Sequence, residues 1–278
     1  MESQSPLAIT RCGGIELRWG ERTYVMGILN LTPDSFSGDG LGDDIEAAIA
    51  RAKQLASEGS DIIDIGGEST RPGAPPVSAE EELRRVMPVI ERLSGELSVP
   101  ISIDTYKSAV ASRAVRAGAS MINDVWGLKR DPKLARVAAE TGVPTILTSY
   151  LQEPVRGDII AEVISDLEKS IKRATEAGVA EQNIIIDPGI GFGKNAEQNL
   201  EIIHRLSELK VLGRPILLGT SRKFMVGQPF DQRLEATAAT VAIGIAHGAD
   251  MVRVHEVKPM VQVCRMSDAI IRRRQIGH

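Results

Sequence analysis

Residues 183–189 read NIIIDPG, an apolar run that ends at a polar side chain and a loop. The same pattern, with the run ending at or just before a polar side chain or loop, recurs along the chain. The other runs are TYVMGILN (23–30), DIIDIGG (61–67), VPISIDT (99–105), ASMINDV (119–125), VPTILTS (143–149), RPILLG (214–219) and ADMVRVH (249–255). Apolar residues at nearly every position are typical of strands buried on both faces of a parallel sheet. The stretches between the runs have helical periodicity, so the sequence predicts alternating strands and helices.

This alternation predicts a (β/α)8 TIM barrel that forms a single domain over residues 1–278. The units recur about every 32 residues, and barrels of this class ordinarily have about 250 residues. Residues 7–22 differ, because short alternating stretches flank Gly13 and Gly14. They predict a β-hairpin that plugs the barrel floor. A doubly wound open sheet is the alternative, and the eight regular units favour the closed barrel.

Composition limits the classes of function. Charged residues make up 25% of the chain and its net charge is −4, which argues against the basic face that nucleic-acid binding needs. The absence of a long apolar run predicts that no segment spans a membrane. The first residues lack the basic and apolar regions of a signal peptide, and two distant cysteines fit a reducing compartment. We therefore expect a cytoplasmic protein that acts on small molecules.

The polar residues at the ends of the runs are the candidates for chemistry. In a parallel barrel the carboxyl ends of the strands meet on one rim, where such barrels place their active sites. The residues expected on this rim are Asn30, Asp64, Asp104, Asn123, Asp187, Ser221 with Lys223, and Arg253 with His255.

Three of these residues suit the edge of a flat, nitrogen-rich ring. The carboxylates of Asp104 and Asp187 can each accept two N–H donors, and the amide of Asn123 both donates and accepts. Each carboxylate also has a structural alternative. Asp104 could cap the helix after its strand, and Asp187, which precedes Pro188 and Gly189, could form an Asx turn.

The last two strand ends suit an anion. Ser221 and Lys223 follow the seventh run, where barrels often bind phosphate, and Lys223 could also bond a ring carbonyl or nitrogen. Arg253 and His255 alternate along the eighth run, so their side chains point the same way. Together these residues predict a phosphate site beside the ring site.

Two loops are unusually rich in Gly, Pro, Ser and Thr: NLTPDSFSGDGLG (30–42) and GGESTRPGAPP (66–76). Their composition predicts lids over a site. Arg71 in the second loop suits a phosphate or carboxylate, and a surface ion pair is its alternative. No metal-ligand cluster is readable, but Mg²⁺ held mainly by substrate phosphates could take one oxygen from Asn30.

Seven ordered motifs between residues 26 and 257 resemble the dihydropteroate synthase family. They are MGILNLTPDSFSGDG, DIGGESTRPGA, ISIDT, INDVWG, IIIDPGIGFGK, LLGTSRKFMVG and VRVHEV. The resemblance implies a (β/α)8 barrel and a transferase of folate biosynthesis. Such an enzyme condenses 6-hydroxymethyl-7,8-dihydropterin diphosphate with 4-aminobenzoate to give 7,8-dihydropteroate and diphosphate.

The resemblance also implies a role for each matching residue. The pterin ring would be bound by Asp104, Asn123, Asp187 and Lys223. The diphosphate would be held by Asn30, Arg253 and His255, with Mg²⁺ near Asn30. The aminobenzoate pocket would be bordered by Thr70, Arg71 and Ser221, with Phe36 and Pro72 in the loops that cover it. The residues acting in catalysis would be Asp104, Lys223, Arg253 and His255, and the family implies a homodimer formed through the last helices.

One segment departs from the family pattern. After the fifth strand the family usually has a Met-His-Met-like segment, one side chain of which packs beside the pterin, whereas this chain has Thr148, Ser149 and Tyr150. Tyr150 could provide a flat wall instead. The departure supports an alternative reading, a non-catalytic pterin-binding paralogue. A methyltransferase that moves methyl groups from a tetrahydrofolate to a corrinoid protein ranks behind it, because it would not need Arg253 and His255.

Overall fold

Parallel strands and α-helices alternate along the chain as the sequence predicts. The computed structural model describes residues 9–32, 44–70, 74–152, 155, 157–223 and 233–272. Its barrel strands are β3 (Tyr24–Asn30), β4 (Ile62–Gly66), β5 (Ile101–Asp104), β6 (Met121–Asp124), β7 (Thr145–Thr148), β8 (Ile184–Asp187), β9 (Leu217–Leu218) and β10 (Met251–Val254). Its helices are α1 (Ile45–Ser57), α2 (Ala79–Glu96), α3 (Ser108–Arg116), α4 (Lys133–Thr141), α5 (Ile159–Glu176), α6 (Ala196–His204), α7 (Arg233–Ala246) and α8 (Val257–Ile271).

The strands form a closed barrel. Neighbours pair in parallel in the order β8-β7-β6-β5-β4-β3-β10-β9. The ring is completed between β8 and β9 by one bridge, Ile186 to Ile216, where the Ile186 N–H donates to the Pro215 carbonyl at 3.0 Å. The predicted (β/α)8 fold is confirmed, and the doubly wound open sheet is excluded.

An antiparallel hairpin precedes the barrel and packs against its floor. Its strands are β1 (Ile9–Cys12) and β2 (Ile15–Arg18). Cys12 and Leu17 belong to one buried cluster with the interior side chains of the barrel. The turn needs glycine, because Gly13 has a φ of +51° and a Cβ there would lie 2.7 Å from Ser120 Oγ. The predicted plug is therefore present.

Alternation along each strand divides the barrel interior into two layers. The lower layer is apolar and packs on the hairpin; it contains Met26, Ile62, Met121, Ile146, Ile185, Leu217 and Met251. Side chains two positions further along point to the same face. The upper layer therefore contains Ile28, Asp64, Asn123, Thr148, Asp187, Gly219 and Arg253. Intervening residues such as Ile65, Leu147 and Val252 pack under the helices, so every strand is buried on both faces.

Local signals set the helix boundaries. Ser78 Oγ accepts from the Glu81 N–H at 3.1 Å, and Asp44 Oδ1 accepts from the Ala47 N–H at 2.9 Å. Such side-chain acceptors satisfy amide groups that have no partner within the helix. Gly142 ends α4 with a left-handed φ of 66°. Within the described ranges, no helix has both the length and the apolar character that crossing a bilayer requires.

Candidate active site

The upper layer of the barrel brings polar groups from distant parts of the chain onto one rim. Asp104 and Asn123 are paired in register on β5 and β6, and Thr148 is paired with Asp187 on β7 and β8. Asp104, Asn123 and Asp187 are buried. The structure therefore gathers the residues expected to bind a ring, as the strand-end argument predicts.

Arg253 lies at the centre of this rim and bonds two carboxylates. Its Nε donates to Asp64 Oδ2 at 2.6 Å and its Nη2 donates to Asp104 Oδ2 at 2.7 Å. Asn123 Nδ2 donates to the same Asp64 oxygen at 2.9 Å. Because a carboxylate only accepts hydrogen bonds, Asp64 fixes the amide of Asn123 with its NH₂ toward Asp64.

The strand-end pattern predicts that Asp64 lies on the rim but indicates no role for it. Its side chain is fully buried and is held by Arg253, 189 positions away in the chain. The available signal was an acidic residue inside the otherwise apolar run DIIDIGG. A carboxylate is rarely buried unless it is paired, so that run already indicated a cationic partner.

Asp104 does not cap the helix that follows its strand. The first amide of α3, Ser108 N–H, donates instead to Asp131 Oδ2 at 2.8 Å. The capping alternative for Asp104 is therefore wrong. Burial raises the pKa of Asp104 to about 7; Arg253 opposes the rise, and the carboxylates of Asp64 and Glu82 add to it.

Asp187 and Lys223 converge on the space above Gly219. If Gly219 had a Cβ, Asp187 Oδ2, Lys223 Nζ and Arg253 Cβ would each lie within 4 Å of it. The other carboxylate oxygen, Asp187 Oδ1, accepts from the Gly189 N–H at 2.7 Å. The Asx turn foreseen as an alternative is thus present, and it uses one oxygen while the second faces Lys223.

Lys223 is held in place by the loop after β8. Its Nζ donates to the Ile190 carbonyl and lies 4.5 Å from the centroid of the Phe192 ring. Burial lowers the pKa of Lys223 to about 8, while the carboxylate of Asp187 favours its charged form. Burial likewise raises the pKa of Asp187, and Lys223 opposes that rise. Among the described residues, the bond to Ile190 uses one ammonium proton of Lys223, which leaves two for other partners.

Ser221 and His255 form a second pair on the rim. Ser221 Oγ lies 2.9 Å from His255 Nδ1 and accepts from the His255 N–H at 3.1 Å. When the serine hydroxyl donates to Nδ1, the other ring nitrogen, Nε2, carries the proton and can donate to an anionic oxygen. This pairing suits the phosphate role expected of both residues.

A row of aromatic rings runs along the rim beside these groups. Tyr150 stacks on Trp126 with ring centroids 4.0 Å apart and planes 12° apart. Its other neighbour is Phe192, at 5.4 Å and 40°, and Tyr106 meets Trp126 edge-on at 6.3 Å. Tyr150 is therefore part of a packed aromatic row, and its role as a flat wall beside the pterin stays a prediction.

Lys194 fastens the loop after β7 to the loop after β8. Its Nζ donates to the carbonyls of Ser149 at 2.7 Å, Phe192 at 2.9 Å and Gly189 at 3.1 Å. The loops lie so close that a Cβ on Gly193 would be 1.7 Å from the Leu151 carbonyl oxygen. Sequence reasoning gave Lys194 no role, because its partners are main-chain carbonyls that no residue pattern reveals.

The remaining expected residues belong to the two glycine- and proline-rich loops, 30–42 and 66–76. Asn30 ends β3 and is paired in register with Gly66; like Thr70, it is half-buried. Phe36, Arg71 and Pro72 lie outside the described residues. In the part of the chain that is described, no three His, Cys, Asp or Glu side chains are grouped so that they could hold a metal ion.

Comparisons with known proteins agree with this geometry. Residues 26–255 match the family model for pterin binding enzymes. The chain is 52% identical over 266 residues to the dihydropteroate synthase of Bacillus subtilis strain 168, covering 94% of this chain and 93% of that one.

Solved structures show the same likeness. The dihydropteroate synthase of Clostridium difficile, crystallised in the presence of pteroic acid, is 48% identical with a TM-score of 0.87, covering 91% of this chain and 98% of that one. The enzyme of Xanthomonas albilineans with 4-aminobenzoic acid is 42% identical with a TM-score of 0.88, covering 96% and 98%. The matched segment contains every rim residue described above.

Proposed function

Since this chain belongs to the dihydropteroate synthase family, we propose that its rim condenses 6-hydroxymethyl-7,8-dihydropterin diphosphate with 4-aminobenzoate, releasing diphosphate. The chain is a transferase of that family. The observation that carries the proposal is the convergence of Asp187, Lys223 and Arg253 above Gly219. That arrangement sets acceptors and donors for a polar ring beside cations for its leaving group.

We assign the ring to Asn123, Asp187 and Lys223. One oxygen of Asp187 is held by the Gly189 N–H, so the second can accept from N–H groups on the ring edge. Asp64 holds the NH₂ of Asn123, which leaves its carbonyl oxygen available as an acceptor. Lys223, anchored on the Ile190 carbonyl, can donate to a ring carbonyl or nitrogen. These three partners require a heterocycle that presents both donors and acceptors.

The diphosphate belongs with Arg253, His255 and Ser221 in this assignment. Arg253 is bonded to Asp64 and Asp104, and a guanidinium has five N–H donors. It can therefore donate to a phosphate oxygen while it keeps at least one carboxylate. His255, with Nδ1 bonded to Ser221, can donate from Nε2.

Magnesium fits this site as a cofactor that arrives largely with the substrate. Asn30 ends β3 at the rim, where its amide oxygen could supply one ligand to an ion coordinated mainly by phosphate oxygens and water. When bound, the ion would stabilise negative charge on the departing diphosphate.

Charge then explains the reaction. The C–O bond between the pterin methylene and the diphosphate breaks with its electron pair on the phosphate oxygen, toward Arg253 and His255. The ring electrons and the nearby Asp104 carboxylate stabilise the methylene cation. The neutral aryl amine attacks that carbon and forms the C–N bond, and the resulting ammonium gives its proton to water. Positioning and electrostatics account for the rate without a covalent enzyme intermediate.

A homodimer through the last helices is supported by their apolar surface. Ile243 on α7 and Met266, Ile270 and Ile271 on α8 are exposed large apolar side chains. Helices α7 and α8 contact each other, and a contiguous exposed apolar patch of this kind marks an interaction site on soluble proteins. We propose that a second copy of the chain covers them.

The function is tested by measuring 7,8-dihydropteroate formation from both substrates, with Mg²⁺ and with EDTA. We expect turnover that depends on Mg²⁺. In Asp187→Asn, binding of 6-hydroxymethylpterin should fall sharply. Asp250→Asn is the control, because Asp250 is a half-buried carboxylate that accepts from the Ile216 N–H just before β10, at the opposite end of the barrel.

Pterin binding without turnover would identify a non-catalytic paralogue and contradict the proposal. Methyl transfer from a tetrahydrofolate would contradict it in favour of the corrinoid reading.

A further inference from the structure

The hydroxyl of Thr148 is buried without a hydrogen-bond partner among the described residues. The residue is 1% exposed, and its Oγ1 makes no hydrogen bond with the described part of the chain. Burying a hydroxyl without a partner is unfavourable, so most buried polar groups in native proteins are bonded. The exception at Thr148 therefore calls for a reason outside the fold.

Thr148 faces the barrel interior. Ile146, two positions earlier on β7, packs in the interior cluster on the hairpin, and residues i and i+2 of a strand share a face. Leu147, between them, packs on the helix side. The Thr148 side chain consequently belongs to the same upper layer as Asn123, Asp187 and Arg253.

Its neighbours are the residues assigned to the pterin ring. β7 lies between β6, which carries Asn123, and β8, which carries Asp187. Thr148 is paired in register with Asp187, and adjacent strands are about 4.8 Å apart. Asn123 is paired in register with Ile146, which lies two residues before Thr148 on β7. Burial does not remove Thr148 from this site, because Asn123 is itself only 2% exposed.

We propose that Thr148 is a specificity-determining residue whose hydroxyl hydrogen-bonds the edge of the pterin ring beside Asp187. This inference rests on the proposed function and deepens it. A hydroxyl both donates and accepts, so it can pair with either a ring N–H or a ring nitrogen. The Met-His-Met-like segment usual in the family offers no hydroxyl here, so the contact distinguishes this chain from that pattern.

Thr148→Val tests the contact, because valine keeps the shape and removes the hydroxyl. By calorimetry, we expect the Kd for 6-hydroxymethylpterin to rise roughly 2- to 12-fold, the effect of one neutral hydrogen bond. Thr148→Ser should bind within about 2-fold of the unchanged chain, since it keeps that bond. The KM for 4-aminobenzoate should stay the same.

The melting temperature of ligand-free Thr148→Val provides an independent test, because the variant should bind pterin more weakly but should not be less stable. Removing an unbonded buried hydroxyl should leave the melting temperature of Thr148→Val unchanged or higher. Thr145→Val is the matched control, because Thr145 is a buried threonine of the same strand whose Oγ1 lies 3.4 Å from the Val143 carbonyl. It should leave the pterin Kd unaltered.

Two results would overturn the inference. One is a Thr148→Val chain that binds the pterin as tightly as the unchanged chain. The other is a clear drop in the melting temperature of ligand-free Thr148→Val, which would show that the hydroxyl serves the fold. If the unchanged chain binds no pterin, the proposed function fails. If the unchanged chain binds the pterin and Thr148→Val binds it equally well, only the inference about Thr148 fails, so the two failures can be distinguished.

Discussion

Arg253 Nη2 lies 2.7 Å from Asp104 Oδ2, so the cation assigned to the leaving phosphates is bonded to the carboxylate assigned to the methylene cation. The two halves of the site therefore share one ion pair. A change at Asp104 should therefore affect the departure of diphosphate as well as the stability of the methylene cation. Charge on this pair, more than shape, should control the reaction.

Asp104→Asn should lower kcat by roughly 10- to 150-fold, because we take the lost charge to be worth about as much as one hydrogen bond to a charged group, roughly 1.5–3 kcal/mol. The asparagine keeps an oxygen that can accept from Arg253, but it removes the negative charge that stabilises the methylene cation. Steady-state kinetics and a thermal melt check this together, since the fold should survive. Unchanged kinetics would remove Asp104 from the site.

The rate should rise with pH as Asp104 ionises. Burial raises the pKa of Asp104 to about 7, and the ionised form is the one that stabilises the cation. We expect kcat to increase from pH 6 to pH 8 in the unchanged chain and to lose this increase in Asp104→Asn. Comparing the two profiles removes the contribution of substrate ionisation. Parallel profiles would assign the rise to another group.

The same shift has an opposite effect on stability. A carboxyl whose pKa is raised from 3.8 to about 7 by folding contributes stability at pH values below its unfolded pKa, and this is lost as the pH rises through about 7. The melting temperature of Asp104→Asn relative to the unchanged chain should therefore increase between pH 5 and pH 8. A constant difference would show that folding does not shift the pKa.

Ser221→Ala should weaken binding of the diphosphate selectively. The variant removes the hydroxyl that bonds His255 Nδ1 at 2.9 Å, so the imidazole ring of His255 loses its fixed orientation. The KM for the pterin diphosphate should rise roughly 2- to 12-fold, as for one hydrogen bond. The Kd for 6-hydroxymethylpterin, which has no phosphate, should not change. An equal loss for both ligands would argue for a general distortion.

Lys194→Met should loosen the loops that carry Tyr150 and Phe192. Methionine has similar length but no donor, so three carbonyls lose their partner, and we expect about 1–3 kcal/mol of destabilisation. Trp126, which stacks on Tyr150, reports the change through its fluorescence. The control is Lys172→Met, since Lys172 is exposed on α5. Identical fluorescence in both variants would rule out the fastening role.

Ile270→Glu should convert a dimer into a monomer. Ile270 is 68% exposed on α8, and a charge there would be costly inside an apolar interface. Sedimentation velocity measures the outcome. Val211→Glu is the matched control, because Val211 is 74% exposed but lies in the 3₁₀ turn Leu206–Leu212. A monomeric unchanged chain would refute the dimer.

The fold could be predicted because strands buried on both faces leave continuous apolar runs, and because caps such as Ser78 and Gly142 mark helix ends. Grouping of the rim residues followed from strand direction alone. Their hydrogen bonds could not be predicted. Whether Asp104 would cap a helix or bond Arg253 depended on barrel closure, which brings together residues 149 positions apart.

The departure at residues 148–150 shows a second limit. The sequence directed attention to Tyr150 as a replacement wall, and its ring does lie in the aromatic row. The buried hydroxyl of Thr148 became visible only when its strand neighbours were known. A single sequence shows which residue differs from a pattern, but the surroundings decide which of its atoms matters.

The bridge between Ile186 and Ile216 gives the barrel a seam. β9 has only two residues, so this joint is the thinnest in the wall, and Asp187 and Lys223 stand on either side of it. A pterin that hydrogen-bonds both residues would link the end of β8 to the loop after β9. Bound pterin should then slow hydrogen–deuterium exchange at the Ile186 amide, which bonds the Pro215 carbonyl across this joint. The substrate would thus strengthen the closure of the barrel that binds it.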